Sequence, residues 1–124
     1  MIRIAATISS LVALTYVIPS ALAQNAPPTY EADPSVYKVI FEDQSFRVIA
    51  ATWQPGQGDK PHSHPVASIG YALTDCSLKL ASADGKVVEL HPKAGMPNTV
   101  AITSSHTATN IGPSECRVVL IERK

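Results

Sequence analysis

The succession of short β-type segments constrains the fold of this chain more than any other feature of its sequence. From Ser35 onward, β-branched and aromatic residues alternate with turns rich in glycine, proline and aspartate. No window of a dozen residues in this part carries a sustained 3.6-residue apolar period. The segments predicted as strands are 36–41, 46–53, 68–73, 77–81, 87–90, 99–102, 107–111 and 117–121. About eight short strands at this spacing predict an all-β sandwich or jelly-roll barrel.

The first 23 residues have the pattern of a secretory signal peptide. Arg3 precedes an apolar stretch over residues 4–18, and Ala21-Leu22-Ala23 stand directly before Gln24. The alternative is a membrane anchor, which needs about 20 continuous apolar residues, whereas this stretch is shorter and is interrupted by Pro19. We therefore expect export to the periplasm or the exterior, with cleavage after Ala23 and no membrane segment in the mature chain.

The remainder is predicted to hold one domain. Residues 24–34 contain three prolines and no apolar period, which favours an extended leader, and residues 35–124 are long enough for a single core. The whole chain has 10 basic and 10 acidic residues and no basic run. A nucleic acid or an anionic membrane surface is therefore not an expected partner, and function must come from a local site.

The two cysteines of the chain leave two alternatives open. Export to an oxidising compartment permits a disulfide between Cys76 and Cys116 and slightly favours it. The alternative is a pair of separately buried thiols, which is common in β-cores. Neither cysteine belongs to a CxxC motif or lies beside a histidine, so we expect neither to bind a metal.

The His62-Ser63-His64 triplet is the most informative motif. Residues two apart on a strand point to the same face, about 6.6 Å from each other along the strand. Two imidazoles at this spacing can converge on one ion at the nitrogen–metal distance of about 2.0–2.1 Å. Pro61 and Pro65 restrict the backbone on both sides. A third ligand must then come from another part of the chain.

With its flanking glycine, this triplet resembles the first motif of the cupin superfamily. That motif is a glycine, five residues and then His-x-His, and Gly56, His62 and His64 have this spacing. The second cupin motif ends in a histidine followed, after three residues, by an asparagine, as His106 and Asn110 do here. Its approach is matched more loosely, with an insertion, by Gly85, Pro92 and Gly95. The resemblance spans about residues 37–123 and implies a single-domain cupin jelly-roll barrel.

The same resemblance implies that His62, His64 and His106 hold one divalent metal ion. The chain departs from the family pattern where a glutamate ligand is expected, because Ser68 or Ile69 stands there. An ion held by three neutral imidazoles keeps its double charge and an open coordination position, so it is expected to attract anionic or chelating ligands. Imidazole suits iron, zinc, copper and nickel alike, so the motif does not name the metal and does not distinguish these ions from manganese.

Two functions remain open at this point. Cupins with three-histidine iron sites include thiol and β-diketone dioxygenases, so the resemblance is compatible with an oxygen-using or Lewis-acid enzyme acting on a small metabolite. Strand parity offers only Tyr71, Glu89 and His91 as candidate general bases, and His91 is also expected in a solvated loop. The alternative is a non-catalytic, even metal-free, small-molecule-binding or structural module. Such a module would pair as a homodimer through the predicted strand 36–41.

Overall fold

The computed structural model describes residues 24–124, so the predicted signal peptide over residues 1–23 lies outside the described part. The described residues form one helical turn and nine strands. They are α1 (Thr29–Ala32), β1 (Tyr37–Glu42), β2 (Phe46–Trp53), β3 (His62–His64), β4 (Ser68–Ala72), β5 (Leu78–Ser82), β6 (Val87–Leu90), β7 (Pro97–Val100), β8 (Thr103–Asn110) and β9 (Cys116–Arg123). The all-β prediction is confirmed. Among these residues no helix has the length and apolar character needed to cross a membrane.

The strands form two sheets in which every pair is antiparallel. The larger sheet has the order β1-β2-β9-β4-β7 and the smaller one the order β3-β8-β5-β6. Strands β2 and β6 have the predicted bounds, but β8 begins at Thr103, four residues before its predicted start. The polar residues 103–106 carry no strand signal of their own. They are extended because β8 pairs with β3 at this end and with β5 further along.

The two sheets form an open sandwich, and the prediction of a closed barrel is wrong in this respect. Strand β6 ends the smaller sheet and β7 ends the larger sheet, and the two are not paired with each other. Each of these strands has only four residues, paired on one side with β5 and β4 respectively. Alternating hydrophobicity specifies which face of a strand is buried but not whether two edges meet, so the gap could not be predicted.

The hydrophobic core lies between the sheets. On β9 the buried residues alternate with more exposed ones, and Val118 and Leu120 face inward. Ile49 of β2 and Leu78 of β5 pack in the same cluster. At one end of the core the structure joins Cys76 and Cys116 in a disulfide, which resolves the alternative that the sequence left open.

The segment before β1 packs on the domain, although the sequence predicted an extended leader over residues 24–34. Its single helical turn contains Thr29, which is fully buried. Just before the turn, Pro28 bridges to Ser63 of β3, and the Ser63 amide donates to the Pro27 carbonyl at 2.8 Å. This segment therefore lies along the side of β3 that β8 leaves free, a tertiary contact that composition does not reveal.

Candidate metal centre

The pairing of β3 with β8 brings the three predicted histidines together. His62 and His106 are direct cross-strand partners, and His64 lies two residues further along β3 on the same face. His62 and His64 are buried and His106 is half-buried. One ring nitrogen of each histidine lies within 4.8 Å of those of the other two. No other group of three or more His, Cys, Asp or Glu side chains in residues 24–124 has this geometry.

The hydrogen bonds of His62 leave one of its ring nitrogens free to bind an ion. Its Nδ1 lies 3.0 Å from the Lys60 carbonyl oxygen, which can only accept, so Nδ1 carries the proton and Nε2 keeps its lone pair. The Tyr37 hydroxyl is 3.4 Å from this Nε2, but its single proton is donated to Asp59 at 2.6 Å. A backbone carbonyl that orients a ligating histidine is a common feature of metal sites.

The other two histidines face each other directly. Nε2 of His64 lies 3.0 Å from Nε2 of His106, about the separation of two nitrogens bound at right angles to one ion at 2.0–2.1 Å. Nδ1 of His64 is buried and has no hydrogen-bond partner. The ring nitrogens of the three histidines therefore suit a divalent transition metal that binds imidazole.

Both of these imidazoles are neutral near pH 7. Burial, together with smaller effects of the neighbouring His62 and His106, lowers the pKa of His64 to about 3. Burial, followed by the effect of His62, lowers the pKa of His106 to about 4, against an opposing effect of Asp59. Because metal ions bind the neutral form of histidine, these ligands need not lose a proton before they bind an ion.

Asp59 is a buried group beside the three histidines that no sequence motif indicated. Its side chain is fully buried. Its carboxylate accepts hydrogen bonds from the Tyr37 hydroxyl at 2.6 Å, the Trp53 indole Nε1 at 3.1 Å and the Ala108 amide at 2.7 Å. Nδ1 of His62 is 3.6 Å from the same carboxylate. Burial and the nearby Asp59 raise the pKa of Tyr37 well above its usual value, so Tyr37 stays protonated.

The candidate general bases proposed from strand parity do not reach the site. Tyr71, Glu89 and His91 are exposed and are not among the residues that line the histidine cavity. Ser68, at the position where the family pattern has a glutamate, is buried and its hydroxyl has no partner. Strand alternation allows each of these residues to lie on one of two faces of its sheet. Which face lines the cavity depends on how the two sheets pack together, and the sequence does not show this.

The second half of the histidine motif has a structural role. Asn110 is fully buried, and its side-chain amide donates to the Trp53 carbonyl at 3.1 Å and to the Ser114 carbonyl at 2.9 Å. Its side-chain oxygen accepts from the Gly112 amide at 2.9 Å. Asn110 thus fixes the turn between β8 and β9 and makes none of its hydrogen bonds with the histidines.

A cavity of about 380 Å³ opens from the three histidines. This volume is near the lower end of the range of about 300–1,000 Å³ that is typical of small-molecule sites. Most of its lining is apolar and comes from both sheets, including Trp53, Leu80, Val100 and Leu120. The three histidines are therefore the inner end of a pocket large enough for a small molecule.

Comparisons with known proteins support the fold. No family model matches the chain, and no curated protein matches it. Among solved structures, a cupin domain from Bordetella pertussis superposes with a TM-score of 0.66 at 20% identity, covering 82% of this chain and 99% of that one. An uncharacterised protein with a double-stranded β-helix domain from Klebsiella pneumoniae has a TM-score of 0.57 at 22% identity, with 80% and 83% covered.

A third similar structure is a putative ethanolamine utilisation protein from Salmonella typhimurium. Its TM-score is 0.54 at 16% identity, and the superposition covers 79% of this chain and 77% of that protein. At these identities the likeness concerns the path of the backbone. The chain therefore has the cupin fold, as the resemblance of its histidine and glycine motifs implied.

Proposed function

We propose that this chain is an exported cupin-fold protein that binds one divalent transition metal through His62, His64 and His106 and presents it to a small molecule. The observation that carries this proposal is the convergence of three imidazole nitrogens within 4.8 Å at the inner end of a cavity. A metal bound there would supply Lewis-acid activation and an open coordination position. Export rests on the sequence pattern of residues 1–23.

The protein's own residues have separable roles in this proposal. The three histidines hold the ion, and the Lys60 carbonyl orients the ring of His62. Asp59 fixes the Tyr37 hydroxyl beside the same ring. The apolar walls of the cavity reduce the water around the ion, which strengthens electrostatic interactions at the site.

Elemental analysis of the purified mature chain tests the proposal. We expect close to one equivalent of a transition metal per chain, and loss of that metal in His62→Ala and in His106→Ala. His91→Ala is the matched control, because His91 is exposed and lies outside the cavity lining, and it should keep the metal. Metal-free protein that takes up no added iron, manganese, zinc, nickel or copper would contradict the proposal.

A second candidate is a metal-free small-molecule-binding module in the same fold. The direct contact at 3.0 Å between His64 and His106 favours it, because a hydrogen bond between the two rings would satisfy both nitrogens without an ion. This candidate predicts equal binding of a ligand before and after treatment with a chelator. It also accommodates a homodimer formed through β1, an edge strand that exposes Val39, Ile40 and Phe41.

A further inference from the structure

The cavity connects two chemically different regions. The three histidines lie on β3 and β8, and the lining also includes residues of β6 and β7. β6 is one edge of the smaller sheet and β7 is one edge of the larger sheet, and the two are not paired with each other. In the smaller sheet β5 lies between β8 and β6, so a ligand that reaches from the histidines to the gap between β6 and β7 passes over β5.

The inner end favours a negatively charged group. Within residues 24–124, no aspartate or glutamate contributes to the cavity lining. The fully buried Asp59 is already engaged by three hydrogen-bond donors behind Tyr37 and Trp53. A divalent ion held by neutral imidazoles therefore keeps its charge in a mostly apolar surrounding, and an anionic oxygen is the ligand that compensates it.

The rest of the cavity favours an apolar body. Between the histidines and the gap, the walls consist mainly of aliphatic side chains from the facing sheets. They are Leu78, Leu80, Val88, Leu90, Val100 and Leu120. Ser82, Asn98, Thr99 and Thr103 also contribute to the lining, but a ligand that placed polar groups against the aliphatic side chains would leave those groups without hydrogen-bond partners, at a cost of about 1–3 kcal/mol for each group.

The rim of the gap matches the same kind of molecule. Val88 and Leu90 lie on one face of β6, line the cavity and are each 41% exposed. Lys86, just before β6, is the only Lys or Arg side chain in the lining formed by the described residues. An apolar rim with a single cation admits an anion with an apolar tail and disfavours a cationic ligand.

We propose that the ligand of this site is a small amphiphilic anion, with a carboxylate-type head at the histidines and an unbranched or aromatic apolar body that extends toward the gap between β6 and β7. This proposal rests on the proposed function, because the metal supplies the charge that binds the head. It adds the chemical class of the ligand and the direction in which the ligand lies.

Calorimetric titration of zinc-loaded protein with acetate, butyrate, hexanoate and octanoate tests the class of ligand, with 1-octanol as the probe that lacks the head. The dissociation constant should fall about fourfold for each CH₂ group that enters the cavity, and octanol should bind at least tenfold more weakly than octanoate. Equal affinity for acetate and octanoate would overturn the apolar body. Equal affinity for octanol and octanoate would overturn the anionic head.

A pair of variants on one strand tests the location. Val88→Asp places a negative charge in the cavity wall and should weaken octanoate binding at least tenfold. Val87→Asp is the matched control, because Val87 is the neighbouring residue on β6, is 55% exposed and is not part of the cavity lining. Equal weakening in both variants, or no change in either, would overturn the assignment of the tail to this gap.

The zinc content of each sample, measured before the titration, separates the two levels of the argument. If the protein holds neither zinc nor added iron, manganese, nickel or copper, the proposed function fails, and the ligand class fails with it. If zinc is bound stoichiometrically but affinity does not depend on chain length, the proposed function stands and only the ligand class is wrong. For example, zinc-loaded protein that binds acetate as tightly as octanoate would leave the proposed function standing and show that the ligand class is wrong.

Discussion

Replacement of Asp59 by asparagine is the most informative single perturbation of this site. The carboxylate is fully buried and satisfies three donors, with the Tyr37 hydroxyl and the Trp53 indole on one oxygen and the Ala108 amide on the other. An asparagine side chain has nearly the same shape, but one of its two polar ends is an NH₂ group. Whichever way it is oriented, at least one of these donors then faces another donor.

The size of the effect follows from that count. A buried donor without a partner costs about 1–3 kcal/mol, and the remaining hydrogen bonds lose the strengthening that a charged acceptor provides. Removal of a buried charge offsets part of this loss. We therefore expect Asp59→Asn to lower the free energy of unfolding by about 3 kcal/mol. For a domain of this size this corresponds to a decrease in Tm of roughly 10–20 °C.

The same substitution should weaken metal binding, because Asp59 holds the Tyr37 hydroxyl beside His62 and lies 3.6 Å from its ring. Loss of such an outer partner typically weakens metal affinity by about 10–100-fold. Thermal denaturation of the metal-free protein and competition with a zinc chelator measure the two effects separately. Asp84→Asn, in the exposed turn between β5 and β6, is the control and should change neither. An Asp59→Asn variant within 0.5 kcal/mol of wild type and with unchanged zinc affinity would refute the reasoning.

Three further predictions concern pH, the disulfide and association. Because burial lowers the pKa of His64 to about 3 and of His106 to about 4, the unfolded chain takes up protons below about pH 6.5 that the folded chain does not. The free energy of unfolding of the metal-free protein, measured by urea titration, should therefore fall between about pH 6.5 and about pH 3. The fall should be less steep in His106→Gln, and the same pH dependence in both proteins would contradict this prediction. The cysteines of the disulfide are 40 residues apart, so the double variant Cys76→Ala/Cys116→Ala should lower the free energy of unfolding by about 4 kcal/mol. A reductant should have no further effect on this variant. A loss below 1 kcal/mol would contradict a stabilising role of the disulfide. If β1 forms the dimer contact, sedimentation velocity should show a dimer for wild type and a monomer for Ile40→Lys, and a monomeric wild type would exclude that contact.

The sequence predicted most of the strands because each carries its own local pattern. Phe46–Trp53 and Val87–Leu90 were predicted with the bounds that the structure shows. The prediction was poorest where pairing across the structure determines the conformation. The first half of β8 is polar and extended only because β3 lies beside it, and the helical turn at Thr29–Ala32 depends on contacts with the body of the domain.

The candidate site was also predictable only where a local pattern marked its residues. The spacing of His62 and His64 and the resemblance at His106 identified three residues that the fold does bring together. Asp59 was missed because an aspartate after Pro55-Gly56 is usual in an exposed loop. Its burial depends on Tyr37, Trp53 and Ala108, which come from three different strands. No local signal in the sequence could have indicated that these donors surround it.

The contact between the N-terminal segment and β3 has a practical consequence for where the chain can be shortened. Strand β3 has only three residues and carries two of the three histidines. One of its sides is paired with β8, and residues 27–28 cover part of the other. A version that started at Ser35, the boundary suggested by composition, would uncover that side, and uncovered strand edges recruit other chains. Such a shortened protein should aggregate and lose the proposed metal site, whereas one that starts at Gln24 keeps β3 flanked on both sides.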